Sequence, residues 1–203
     1  MGYCFQKVTN TLEEFHLSQK ASQYFSFEQL IQCGETLTRT KIDNRPKQPE
    51  TWEALSHLAS QILDRVYEQF GPLQLTYGFC SPQLSRLIAK NKYPHIAPAI
   101  DQHCAHELNT NGKIICNRLG AACDFIIEDK STDMKTVAKW ISDNLKFDRM
   151  YYYSQHSPIH ISYGPDMNQF LQLMKTNPIT LRRSPSLKGF HDKASQLLSE
   201  VEY

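Results

Sequence analysis

The chain has 203 residues and a mass of 23.5 kDa, the size of one domain or of one domain with an appendage. Hydrophobic residues make up 40% of it and charged residues 21%, which excludes wholesale disorder because this much apolar material can form a core. A formal net charge of +1 excludes a bulk electrostatic attraction to nucleic acids or anionic membranes, although a local basic patch remains compatible with it.

The N-terminus lacks the basic start and apolar stretch of a secretory signal. No apolar run reaches the roughly 18 residues that a transmembrane helix needs. The six cysteines form no CxxC pair, and a chain of this length does not need disulfides to fold. We therefore expect a cytoplasmic protein with reduced thiols and no membrane association.

The predicted elements begin after a polar lead-in over residues 1–24, with a short helix at Phe25–Cys33. Residues 51–70 carry apolar side chains every three or four positions, which predicts an amphipathic helix that faces a core. These side chains are Trp52, Leu55, Leu58, Ile62, Val66 and Phe70. Alternation predicts a strand at Leu73–Tyr77, and Pro82 begins another helix.

The second half of the chain is richer in strands. A short helix is predicted within residues 96–108, strands at Lys113–Cys116 and Ala121–Ile127, a helix at 133–145, and a strand pair at Arg149–Tyr153 and Ile159–Tyr163. Helices that precede a group of strands are typical of α+β proteins rather than of repeated βαβ units. The sequence therefore predicts an α+β fold with a small antiparallel sheet and flanking helices.

The C-terminal segment is predicted to be a short helix at 166–175, a linker at 176–185 and a closing helix at about 186–202. The closing helix would carry an apolar stripe of Phe190, Ala194, Leu197, Leu198 and Val201. We expect this stripe to dock on its own domain or on a protein partner. The predicted organisation is a lead-in at 1–24, a main domain at 25–175, and a linker with a C-terminal helix at 176–203.

Two strands place polar side chains among apolar ones. Side chains alternate along a strand, so Asp124 lies opposite Cys123 and Phe125, and His160 lies opposite Ile159 and Ile161. A carboxylate in such an apolar strand is costly unless it is paired, hydrogen-bonded or bound to a metal. Asp124 and His160 on adjacent strands could be half of a zinc site, or a hydrogen-bonded pair without metal.

A second polar cluster spans Asp101–Glu107. His103 and His106 are three residues apart and would share a face of a helix. Their spacing is not that of the HExxH zinc signature, and spacing alone favours a solvated helix end.

Several segments, in this order, resemble the zinc D-Ala-D-Ala carboxypeptidases, which share their fold with the hedgehog signalling domain. They are Ile42–Pro46, the long helix that ends at Phe70, Thr76–Pro82 (the family's SGYRSP turn), Gly120–Asp124 (the end of HxxGxAxD), Phe147–Asp148 (FDQ) and Ile159–Tyr163 (HVSY). The similarity covers about Phe25 to Gly164. It implies the fold of this family, a bacterial or viral source, and zinc held by two histidines and an aspartate.

By this resemblance, Asp124 and His160 are zinc ligands. The first histidine of HxxGxAxD has no direct counterpart, because Asn117 occupies its position. Gln102-His103 resembles the start of that motif if about 16 residues, from Cys104 to Leu119, are inserted before Gly120. His103 is then the third ligand, with His106 and Cys116 as alternatives.

Two further departures concern catalysis. Cys80 replaces the arginine that binds the substrate carboxylate in the family, and an arginine fork is difficult to replace in that role. Tyr153 or Ser157 stands where the family has its catalytic glutamate, so that Glu107, His156 and Tyr153 are the candidate bases. Both changes argue against cleavage of peptidoglycan.

The sequence thus supports two hypotheses. The first is a zinc-dependent hydrolase, of the peptidase or amidase kind, that acts on an unidentified small ligand or peptide. The second is a module that has lost catalysis and binds a partner in the same cleft. Nucleic acid is not an expected partner: Tyr151–Tyr153 could stack on bases, but no basic residues interleave with them.

Overall fold

A computed structural model describes residues 15–90, 101–180 and 182–200. The first part of the predicted lead-in, Cys4, the start of the predicted helix within 96–108 and the end of the closing helix with Val201 lie outside the described residues.

A long helix dominates the first half of the described chain. It begins as α3 (Pro49–Leu58), passes through a π-helical turn at Ala59–Leu63, and continues as α4 (Asp64–Phe70). The predicted apolar stripe is confirmed, since Trp52, Leu55, Leu58, Ile62 and Val66 are all buried. The other elements of this half are α1 (Phe27–Leu30), α2 (Gly34–Thr40), β1 (Leu73–Tyr77) and α5 (Pro82–Lys90).

The second half supplies the rest of the sheet and two helices. After a 3₁₀ turn at Gln102–Cys104 come β2 (Ala121–Ile127), α6 (Met134–Asn144), β3 (Arg149–Tyr152), β4 (Ile159–Tyr163), β5 (Phe170–Thr176), β6 (Arg183–Phe190) and α7 (Asp192–Glu200).

Six strands of the described chain form one sheet in the order β1-β2-β4-β3-β5-β6. Neighbouring strands are antiparallel except β3 and β5, which are parallel. The α+β class with flanking helices is confirmed, but the prediction of a wholly antiparallel sheet is wrong because of this one parallel pair. The carboxypeptidase-like fold itself stays a prediction.

The two faces of the sheet have different environments. One face is apolar and packs against α3 and α6, with Cys123, Phe125, Ile161, Met150 and Leu171 among the core side chains. Because side chains alternate along strands, the other face carries polar residues of the same strands. This second face positions the candidate site.

Two predictions for the C-terminal segment are wrong. Residues 170–176 form a strand rather than a helix, and 183–190 form a strand where a linker and the start of a helix were expected. The apolar residues at 170–174 fit both a helical and a strand period, so a run this short cannot be assigned from the sequence. Pairing of β5 with β3 and β6 decides the outcome.

The predicted strand at Lys113–Cys116 is also wrong. Residues 105–120 form a loop in which one isolated bridge joins Leu108 and Ile114. The five cysteines in the described residues are buried and form no disulfide with one another. No helix among the described residues is long and apolar enough to cross a bilayer.

The closing helix α7 buries its apolar face within the chain. Ala194, Leu197 and Leu198 are buried, and α7 packs against α6 and β6. Phe190 belongs to β6 instead and contacts the ring of Phe170.

We expect Leu198→Ala to lower the free energy of unfolding by about 2–4 kcal/mol, because it removes a buried side chain and leaves a cavity. Leu187→Ala is the matched control: Leu187 is 52% exposed and Leu198 is 1% exposed, so the control should cost less than about 0.5 kcal/mol. Urea denaturation measures both variants. Equal losses would contradict the packing of α7 on the chain.

Candidate metal centre

The structure brings together the three residues that the sequence predicts as metal ligands. Asp124 in β2 pairs with His160 in β4, and the His160 Nδ1 lies 2.8 Å from the Asp124 Oδ1. His103 comes from the 3₁₀ turn, and its Nε2 lies 3.1 Å from the His160 Nδ1 and 3.4 Å from the Asp124 Oδ1. Three polar atoms from three separate segments therefore converge.

The ring of His103 is oriented by a backbone carbonyl. Its Nδ1 lies 2.9 Å from the Gly78 carbonyl oxygen. Since a carbonyl can only accept, the Nδ1 carries the hydrogen, and in the neutral ring the Nε2 presents its lone pair to His160 and Asp124. Metal-binding histidines generally make this kind of second contact, which fixes both the tautomer and the ring plane.

The turn that carries His103 is itself held by buried polar contacts. The Oδ1 of Asp101 accepts a hydrogen bond from the backbone N–H of His103 at 2.9 Å. The Nε2 of Gln102 donates to the Asp148 Oδ2 at 2.8 Å and to the Leu119 carbonyl at 2.9 Å. Asp148, which belongs to the Phe147–Asp148 segment of the resemblance, thus holds the turn in place through Gln102.

Two tyrosine rings enclose the histidines. Tyr77 meets the ring of His103 edge-on at 5.0 Å, and Tyr151 stacks on His160 with the ring centroids 4.6 Å apart and the planes 16° from parallel. The register of β3 and β4 places Tyr151 directly opposite His160. These contacts restrict rotation of both imidazoles.

The charges in this cluster shift each other's titration. Burial by itself lowers the pKa of His103, but the carboxylates of Asp101 and Asp124 outweigh this effect and raise the pKa to about 9. Burial raises the pKa of Asp124, but its contacts with His103 and His160 lower the pKa by a larger amount. The pKa of Asp124 therefore lies well below the usual range. Without metal the cluster is therefore a charged hydrogen-bonded network.

The three atoms are close enough together to share one metal ion. Zinc bonds to nitrogen and oxygen of about 2.0–2.1 Å in a tetrahedron place neighbouring ligand atoms roughly 3.3 Å apart. The separation of 3.4 Å is close to this value, whereas those of 2.8 and 3.1 Å are shorter and are hydrogen-bond distances.

A second carboxylate also lies beside the two histidines. The ligand atoms of Asp101, His103 and His160 all lie within 4.8 Å of one another, so this group too could hold a metal ion. Asp124 lies closer, because its Oδ1 is within 3.4 Å of both histidine nitrogens. Asp101 belongs to the second polar cluster of the sequence but is not predicted from it as a ligand or a base, although an aspartate two residues before His103 is a recognisable cap for a turn.

The alternative third ligands lie elsewhere. The Nε2 of His106 is 3.1 Å from the backbone N–H of Gly120, which donates to it. Asn117 is exposed, and Cys116 is buried in the loop between the turn and β2. The structure brings none of the three into the group with His103 and His160.

None of the three candidate bases is a carboxylate beside the histidines: Glu107 is engaged in hydrogen bonds, His156 is exposed, and Tyr153 is a phenol with a raised pKa. The Oε1 of Glu107 accepts from the backbone N–H groups of Lys47 and Gln48 and from the Thr51 hydroxyl, which makes it a cap for α3. His156 is exposed. The hydroxyls of Ser154 and Ser157 hydrogen-bond to each other. Burial raises the pKa of Tyr153 to about 12, which makes it a weaker acid than an ordinary tyrosine.

Comparison of the chain with protein-family models, with curated proteins and with solved structures finds no match in any of the three.

The raised pKa of His103 predicts a pH dependence for the metal-free protein. Its pKa is about 9 in the folded state and 6.5 in the reference state, so the stabilisation is complete below pH 6.5 and is lost as the pH rises towards 9. We expect the free energy of unfolding, measured in a chelator, to fall by about 2–3 kcal/mol over this window.

His103→Gln should remove most of this loss, whereas His156→Gln, at an exposed position, should retain it. A slope that is the same in both variants would contradict the assignment to His103.

Proposed function

We propose that the chain is a zinc-dependent hydrolase in which His103, Asp124 and His160 hold the metal and Asp101 accepts a proton. The convergence of the His103 Nε2, the His160 Nδ1 and the Asp124 Oδ1 within 3.4 Å carries this proposal. The resemblance to zinc D-Ala-D-Ala carboxypeptidases, which assigns Asp124 and His160 directly and His103 if the insertion before Gly120 is assumed, supports it independently of the distances.

The donor set fits zinc. Two imidazole nitrogens and one carboxylate oxygen are common zinc ligands, and three protein ligands leave a fourth position free, as in catalytic sites. The hydrogen bond from the His103 Nδ1 to Gly78 keeps the Nε2 available as a ligand atom. When bound, zinc would lower the pKa of a water molecule and polarise a carbonyl or phosphoryl oxygen.

Asp101 supplies the carboxylate that the family pattern otherwise lacks here. It lies within 4.8 Å of both histidine ligand atoms, which is within reach of a proton directly or across one water. Its Oδ1 is held by the backbone N–H of His103, so the group is fixed beside the cluster. A carboxylate in this place can accept a proton while a nucleophile attacks.

The alternative is a module that binds a ligand without catalysis. It is favoured by Cys80, which stands in place of the family's arginine and is buried, with the Tyr77 hydroxyl 3.5 Å from its sulfur. A cysteine side chain carries no positive charge and cannot bind a carboxylate as an arginine does. The substrate of a hydrolase built on this site would therefore differ from D-Ala-D-Ala peptides.

Metal analysis tests the ligands. We expect protein purified without added zinc to contain about one equivalent, and His103→Ala, Asp124→Ala and His160→Ala to weaken zinc binding by more than about tenfold, since even changes outside the ligand set cost this much. His106→Ala is the matched control and should bind zinc as the native protein does. Retention of zinc by the three ligand variants, or its loss in the control, would refute the assignment.

Kinetics with an isosteric variant test Asp101. Asp101→Asn keeps an oxygen to accept the His103 N–H, so we expect zinc content to be unchanged and turnover to fall by about 100-fold or more. The probes are p-nitrophenyl acetate and a mixture of N-acetylated dipeptides. If the zinc-loaded native protein hydrolyses none of them, the non-catalytic alternative is preferred; if Asp101→Asn retains full turnover, the base lies elsewhere.

A further inference from the structure

The second face of the sheet continues from the metal centre towards β6. Across β4 and β3 the first neighbour of His160 is Tyr151, whose ring stacks on it. Tyr153 follows the end of β3, and the guanidinium carbon of Arg183, the first residue of β6, lies 4.3 Å from the centre of its ring. Two stacked contacts, Tyr151 on His160 and Arg183 on Tyr153, therefore lie between the centre and a cation that is distant in sequence, and the two tyrosines are two residues apart in the chain.

The position of Tyr153 links the two ends of this series. Besides burial, which is the largest cause, the carboxylates of Asp124 and Asp101 raise the pKa of Tyr153, and Arg183 lowers it. Its hydroxyl is therefore within electrostatic range of both the metal centre and the guanidinium. This agrees with the strand geometry, which places Tyr153 next to the site.

Arg183 is held in place but retains its hydrogen-bonding capacity. Among the described residues it forms no ion pair and no side-chain hydrogen bond, and it is exposed. A guanidinium stacked on an aromatic ring keeps its N–H groups at the edge of the fork, where they can bind carboxylate or phosphate oxygens in pairs. The stacking restrains the side chain before a ligand arrives, which lowers the entropic cost of binding.

We propose that Arg183, supported by Tyr153, is a subsite for an oxyanion group of the substrate, either a carboxylate or a phosphate. The inference rests on the proposed function in that it takes the His103–Asp124–His160 cluster as the reaction centre. It provides the positive charge that Cys80 does not, from a strand outside the segment that resembles the carboxypeptidases.

The geometry also limits the length of the substrate. One strand spacing and two residues of rise separate Tyr153 from His160 by roughly 8 Å along the sheet, and the guanidinium carbon of Arg183 lies over the Tyr153 ring, 4.3 Å from its centre. An extended peptide of about three residues covers this distance. The substrate class is thus a short molecule with a cleavable bond at one end and an oxyanion at the other.

Binding of two simple anions to the zinc-loaded protein tests the subsite. The probes are N-acetyl-glycyl-glycine, with its C-terminal amide as the uncharged control, and inorganic phosphate, each measured by calorimetry. Arg183→Gln should lower the affinity for at least one anion by about tenfold, because it removes a paired charge-assisted contact. Arg182→Gln, the neighbouring arginine, should change the affinity by less than twofold.

The outcomes separate the sources of the oxyanion and the two proposals. If Arg183→Gln binds only the peptide more weakly, the subsite takes a carboxylate. If it binds only phosphate more weakly, the subsite takes a phosphate. Either result supports the proposal. Equal affinities in native protein and Arg183→Gln, or no binding of either anion by native protein at millimolar concentration, overturn it. If native protein binds no zinc yet Arg183→Gln still loses anion binding, the subsite stands and the proposed hydrolase fails.

Discussion

The hydrogen bond between the His103 Nδ1 and the Gly78 carbonyl is the contact on which the candidate centre depends, because it decides which nitrogen faces Asp124 and His160. The segment that presents this carbonyl is anchored on both sides. Its N–H groups at Gly78 and Phe79 donate to the carbonyls of Gln32 and Leu30, and the N–H of Cys80 donates to the His103 carbonyl. A Cβ at Gly78 would clash with the Leu30 carbonyl oxygen, so only glycine allows this close approach.

Strands and loops contribute different properties to the centre. Asp124 and His160 lie opposite each other on central strands, where the ladder on both sides holds their backbone atoms. His103 lies on a 3₁₀ turn whose stability comes from side-chain contacts, chiefly Gln102 with the buried carboxylate of Asp148. A metal bound to all three would therefore join a rigid pair to a turn and stabilise the folded chain as well as the site.

The electrostatics of the second sheet face are divided along its width. Two carboxylates and two imidazoles occupy the end near β2 and β4. Arginines lie towards the other end: Arg149 stacks on Phe170, and Arg183 stacks on Tyr153. Aromatic rings between these groups keep the guanidinium groups in place without neutralising them. Such a face offers a candidate metal centre at one end and positive charge at the other.

Part of this arrangement could be predicted from the sequence because it depends on local periodicity. The helix that runs through residues 51–70, the strands at Leu73–Tyr77 and Ala121–Ile127, and the placement of Asp124 and His160 on one face follow from repeats of 3.6 and 2 residues. His103 could be predicted as a ligand only through the resemblance, since a histidine on a turn has no periodic signature.

Other features were decided by tertiary structure alone. The short apolar run at 170–174 fits a helix or a strand equally well, and only its pairing with β3 and β6 makes it a strand. Asp101 lies beside the histidines because the turn folds onto the sheet. Arg183 contacts the ring of Tyr153 because β6 belongs to the same sheet as β3. No local sequence pattern predicts contacts between residues so distant in the chain. These contacts form only when the strands assemble, because strand pairing and burial stabilise them rather than local propensity.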